Sequence, residues 1–121
     1  MPAPIIVVHD NSQIRELATD ALRAAGYEVA AFDSSMAVLD AMGSPTRLRV
    51  LVTRADFGPG QLHGVGLARM VRVRQPGARI VFVAREENRG HTVDLGTFLP
   101  VPLDPAALVD VVGRLLVAPA G

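Results

Sequence analysis

Few side chains in this sequence could do chemistry, and their spacing excludes more than it suggests. His9, His63 and His91 lie far apart with no pair at i+3 or i+4, so no metal site is expected and all three read as surface or loop histidines. Gly58, Gly60, Gly64 and Gly66 would suit a phosphate loop, but neither a Lys nor a following Ser or Thr completes one. Arg69, Arg72 and Arg74, with Arg79 beyond them, make a locally basic edge that would suit an acidic partner. No aromatic residues interleave with them for base stacking, and a solvated helix face is the simpler expectation. All 12 basic residues are arginine. Without lysine there is no Schiff-base catalysis, no Ser/Lys hydrolase and no P-loop ammonium. With no cysteine there is no thiol nucleophile, disulfide, iron-sulfur cluster or thiolate zinc site, and a reducing cytoplasm fits best. The 12 acidic residues cancel the 12 basic ones without any block of like charge, so neither nucleic acid nor a membrane surface is an expected partner.

The elements that must position these groups follow from the apolar pattern. With 121 residues, half of them apolar, the chain suits one domain over 1–121 with a core of about 5–117. No charged and then apolar opening predicts a signal peptide, and no apolar run approaches the ~18 residues of a membrane span. No internal repeat is found, and Pro119, Ala120 and Gly121 read as a frayed tail. Ile5 to Val8 is an apolar, β-branched strand that ends at His9, Asp10, Asn11 and Ser12, residue types of loops and helix caps. From Ile14 a helix is expected, because Leu17, Ala18, Ala21, Leu22 and Ala25 recur on one face and Gly26 stops it. Val29 to Phe32 is a second strand. Asp33 or Ser34 then caps a helix through Val38, Leu39 and Met42, ended by Gly43, Ser44 and Pro45. Val50 to Val52 is a third strand. It leads through a loop with Phe57, Gly58, Pro59 and Gly60 to a helix from about Val65 to Arg74, closed by Pro76 and Gly77. Ile80 to Val83 and Thr97 to Leu99 are the last strands, and Asp104 with Pro105 opens a final helix to about Val117.

Wholly apolar strands separated by amphipathic helices predict a doubly wound, flavodoxin-like α/β domain with a five-stranded parallel sheet. Ligands of such sheets meet the C-terminal ends of the strands, which directs attention to His9, Asp10, Arg54, Ala84 and Val101.

Three segments occur in a telling order: Ile5-Ile6-Val7-Val8-His9-Asp10, then Ile14-Arg15-Glu16-Leu17 with Ala24-Ala25-Gly26-Tyr27-Glu28-Val29, then Phe98-Leu99-Pro100-Val101-Pro102-Leu103-Asp104-Pro105. With them the chain resembles, over about residues 5 to 117, the receiver domain of bacterial two-component response regulators. The resemblance implies a cytoplasmic signalling domain. In it a strand-end Asp attacks a phosphohistidine, an acidic pair holds Mg²⁺, a Thr or Ser reads the phosphoryl group and a Lys pairs with it. Such transfer rests on positioning and on cations for the developing charge.

Carried over residue by residue, most of these roles are vacant. The acidic pair becomes His9 and Asp10, the Thr or Ser position is Ala84, and the Lys position is Val101 before Pro102. Phe98 keeps the aromatic ring of the usual switch. The acceptor position at the third strand's end is Arg54, since the family's variant pattern Leu-Val-Thr-Asp followed by a longer Pro/Gly loop resembles Leu51-Val52-Thr53-Arg54 with Gly58-Pro59-Gly60, Arg standing where the pattern has Asp. Counted back eight residues from Gly64, the acceptor is instead Asp56. That register would place Thr53 and Arg54 in a buried strand, an unfavourable demand unless they are paired.

The resulting expectation is a degenerate receiver and not an enzyme. It would act without phosphoryl turnover by contact with a protein such as a histidine kinase or another signalling protein, or as a homodimer. No cofactor is expected, and Mg²⁺ only if Asp56 is a working acceptor. An unrelated flavodoxin-like binding protein is a third possibility, though neither a dinucleotide fingerprint nor a nucleophile elbow is present. The guanidinium of Arg54 is expected to point at Asp10, a fixed cation in place of an exchangeable one. The stretch from Arg85 to Leu95 is short, with Gly90 and Gly96, which predicts a stunted fourth helix. The last helix is apolar enough, through Leu108, Val109, Val111, Val112, Leu115 and Leu116, for part of it to be covered by a partner.

Overall fold

A computed structural model describes residues 4–41, 48–54, 64–92 and 94–117. The strands are β1 (Ile5–Val8), β2 (Val29–Phe32), β3 (Val50–Thr53), β4 (Arg79–Ala84) and β5 (Thr97–Pro100). The helices are α1 (Ser12–Ala24), α2 (Ser35–Ala41), α3 (Gly64–Arg74) and α4 (Pro105–Val117). All strand pairs are parallel and the sheet order is β2-β1-β3-β4-β5, so the chain reverses its direction of winding between β1 and β3. The crevice of such a sheet opens there, above the strand ends.

Alternation along the strands supplies two apolar layers, as a sheet covered on both faces requires. Ile6, Val8, Leu51, Ile80 and Phe82 pack with Val38 of α2 and Leu67, Ala68 and Val71 of α3. Their neighbours Ile5, Val7, Val50, Val52, Val81 and Val83 pack with Ala18 and Leu22 of α1 and Leu108 and Val112 of α4.

The caps explain where the helices begin and end. The Asn11 side chain accepts from the Ile14 amide, so α1 starts two residues before the first residue of the apolar face. Gly26, at φ 96°, takes the left-handed turn that releases the chain toward β2. Ser34, and not Asp33, caps α2 by accepting from the Ala37 amide. Asp104 accepts from the Ala106 amide at the start of α4, with Pro105 in the first helical position.

Some boundaries differ from the sequence expectation. Ladder pairing carries β3 through Thr53, extends β4 at both ends to Arg79 and Ala84, and carries β5 to Pro100. Between β4 and β5 there is one 3-10 helix, Glu86–His91, where a stunted α-helix was expected. The connection returns at Gly96, where a Cβ would lie 2.3 Å from the Ile80 carbonyl oxygen, so only glycine passes so close to β4. Within α4, Leu108 and Val112 are buried, while Val109, Val111, Leu115 and Leu116 are partly buried against the same layer. Met42 to Pro45, Phe57 to Gly60 and Pro119 to Gly121 lie outside the described residues.

Candidate functional site

The ends of β1 and β3 bring His9, Asp10 and Arg54 together. Val8 pairs with Thr53 in the sheet, so the residues that follow them emerge side by side. Arg54 Nη1 donates to Asp10 Oδ1 at 2.5 Å, with the two side chains 36% and 34% exposed. Burial pushes the Asp10 carboxyl up, but the Arg54 hydrogen bond and charge, with a contribution from His9, outweigh it and hold the group below the usual Asp value. Thr53 is fully buried in β3, and its hydroxyl donates to the Arg54 carbonyl at 3.0 Å. A polar residue inside the strand is thus paired, and Arg54 leaves the strand end directly. Asp56, the acceptor in the other register, and His63 lie outside the described residues.

Of the surface or loop setting expected for His9 the structure keeps the loop, directly after β1, and corrects the surface, since only 5% of the residue is exposed. The Asn11 amide donates to His9 Nδ1 at 3.1 Å, and the ring bonds the backbone of Val83 on β4. Burial lowers the His9 pKa below its ordinary value, against the raising influence of Asp10. The ring is therefore neutral, and Nδ1 is an occupied acceptor. Arg15, one turn into α1, donates to the His9 carbonyl at 2.7 Å and fixes this turn from the other side.

These donors do not suit Mg²⁺. A hard cation wants several free oxygens. Of the two pocket residues one offers a nitrogen already hydrogen-bonded, and the other a carboxylate oxygen already held by a guanidinium. Among the described residues no group of three or more His, Cys, Asp or Glu is placed to hold a metal ion.

Beside this pair a crevice of about 660 Å³ opens along the strand ends. His9, Arg54, Val83, Ala84 and Val101 line it, together with Arg85, Glu87 and Asn88 from the start of the β4–β5 connection. Ala84 ends β4, and its carbonyl accepts from the Val101 amide at 3.0 Å, which brings the two positions into one wall. Phe98 is separate from them: the Arg89 guanidinium carbon stands 4.5 Å from its ring centroid. Arg89 is itself held by two hydrogen bonds to the Glu86 carboxylate, at 2.7 and 2.9 Å.

The sequence reading missed Asn11, Arg15, Arg85 and Arg89 as parts of this region. The first two carried a signal, the short run from His9 to the helix start. The others acquire neighbours only through the path of the 3-10 helix. On α3 the arginines of the basic edge, Arg69, Arg72 and Arg74, are exposed as expected, and Arg72 reaches the Leu95 carbonyl at 3.5 Å.

No protein-family model and no curated protein matches this sequence. Solved structures do. The receiver domain of NtrX from Brucella abortus is 23% identical with a TM-score of 0.83, covering 93% of this chain and 97% of that one. The chemotaxis response regulator CheY4 of Vibrio cholerae is 23% identical at a TM-score of 0.78, covering 95% and 99%. A putative response regulator from Chloroflexus aurantiacus J-10-fl is 23% identical at 0.83, covering 98% and 100%. The chain has the five-stranded, flavodoxin-like fold of response-regulator receiver domains.

Proposed function

We propose that this chain is a receiver-like signalling module of a two-component, phosphorelay pathway that works by protein contact without phosphoryl turnover and has no catalytic activity of its own. The observation that carries the reading is the Arg54–Asp10 ion pair at the β3 and β1 ends. A cation is already built in there, in place of a carboxylate nucleophile. Ala84 and Val101 supply neither a hydroxyl nor an ammonium to an incoming phosphoryl group, whose charge would then lack most of its stabilisation. The partner class is a histidine kinase or another signalling protein, and a second copy of the chain is a further candidate. A cytoplasmic location accords with the absence of cysteine, and among the described residues no helix is long and apolar enough to cross a membrane.

The test is incubation with acetyl phosphate and Mg²⁺ followed by intact mass measurement. The expected result is no stoichiometric gain. A gain of one phosphoryl group would overturn the reading, and mapping it to Asp56 would establish the other register.

A further inference from the structure

Val38 of α2 and Leu67, Ala68 and Val71 of α3 pack on one side of the sheet, where the two helices lie next to each other. Of the five large apolar side chains exposed among the described residues, three stand on these helices: Met36 is 62% exposed, Met70 40% and Val73 82%. Ser35 and Val38 are buried, so Met36 and Asp40, one turn apart, face outward. On α3 the burial of Leu67, Ala68 and Val71 turns Arg69 and Val73 outward in the same way. Arg72 reaches the Leu95 carbonyl on the β5 side of α3. Two residues turn an α-helix by about 200°, which puts Met70 on the other flank, toward α2. The charges divide by helix. Asp40 is the charged residue of α2, with Asp33 just before it, whereas every charged residue of α3 is Arg. Among the described residues, Asp33, Asp40, Arg69 and Arg74 have no ion-pair partner.

We propose that two copies of this chain associate through the α2–α3 face, about a two-fold axis that runs along the groove between the helices. This deepens the contact-based reading by naming the surface for a second copy, and rests on that reading for its role in signalling alone. A rotation about that line lays α2 of each copy on α3 of the other, so every contact forms twice. Asp40 then meets Arg69 of the partner subunit, and the exposed methionines and Val73 close the centre of the patch. Methionine suits such a centre, because it adapts its shape and is enriched at interfaces. An axis across the helices would instead oppose α2 to α2 and α3 to α3, with like charges facing each other. The split of charge also selects the partner. A nucleic acid, an anionic membrane or an acidic peptide would satisfy the arginines of α3 and be repelled by Asp33 and Asp40, while a second copy satisfies both helices.

The experiment is sedimentation velocity of the full chain from about 10 µM to 1 mM, without Mg²⁺ or phosphodonor. The mean mass should rise from the 12.8 kDa of one chain toward twice that value. A Kd of about 100 µM is expected, since three exposed apolar side chains from each copy make a small interface. Asp40→Arg and Arg69→Asp should each weaken association about tenfold, because each change acts at two contacts per dimer, and the two together should restore it. Both side chains are exposed, so neither reversal endangers the fold. Val73→Ser should weaken association about threefold or more. A chain that stays monomeric at about 1 mM, a dimer that both single reversals leave intact, or a double variant no tighter than the singles would each overturn the proposal. A monomeric chain leaves contact with a kinase or another signalling protein standing, whereas a phosphoryl mass gain would remove the contact-based function without changing the mass measured by sedimentation.

Discussion

Replacing Arg54 with Ala removes the partner of Asp10, and the geometry sets the size of the effect. Opposite unit charges about 4 Å apart at an effective dielectric of about 20 attract by about 4 kcal/mol. Against this stand the desolvation of both groups and about 2 kcal/mol of arginine rotamer entropy. Both side chains are about one-third exposed, at 36% and 34%, so solvent screens a further part. A net coupling of about 1 kcal/mol remains, at the upper end of exposed pairs and below buried ones. Arg54→Ala should therefore cost about 1 to 2 kcal/mol, because the carboxylate stays behind without its cation. Asp10→Asn in the Arg54→Ala background should cost less than in the wild type. Urea unfolding of the four proteins near neutral pH measures this, and added salt should shrink the coupling. A coupling below about 0.3 kcal/mol at low salt would refute the view that the pair holds these strand ends together.

Three further outcomes follow from other contacts. His9 is held neutral with its pKa below 6.5, so the unfolded chain takes up a proton that the folded chain refuses; stability is full above about pH 6.5 and falls below it, and His9→Asn should flatten the pH dependence of urea midpoints, a result that an unchanged slope would contradict. Asp10, lowered from 3.8, acts at more acid pH, where its contribution is lost as pH falls through its folded value. Titration to about 10 mM Mg²⁺ should leave the melting midpoint unchanged, since a weakly bound ion stabilises little; a rise of several degrees would mean that Asp10 belongs to a metal site. Gly96→Ala should destabilise by about 2 kcal/mol or more, because the contact at 2.3 Å is with the Ile80 backbone and cannot be relieved by a side chain turning away; a thermal scan showing no loss would mean that β5 can move away from β4.

What was legible in the sequence was local or followed from the sheet. The strands are runs of apolar residues, α1 carries its own cap, and Asp104 with Pro105 marks α4. The Arg54–Asp10 contact was legible as well, because in a parallel sheet residues after adjacent strands must emerge together. The burial of His9 was not. It depends on Asn11 presenting its amide and on β4 presenting a carbonyl, and the second lies more than seventy residues away along the chain. The stacking of Arg89 on Phe98 was hidden for a similar reason, since it needs the turn of Glu86–His91 that no periodicity in the segment announces.

The same contacts bear on how a domain of this kind would signal. A switch needs two arrangements of comparable free energy and a ligand that prefers one of them. Here the groups at the strand ends are tied to one another: Arg54 to Asp10, His9 to Asn11 and Val83, Arg89 to Glu86 and Phe98. Ala84 has no hydroxyl through which an event in the crevice could be passed to Phe98. Under the contact-based reading the domain therefore presents one surface constitutively. Regulation would come from its amount or from its partner.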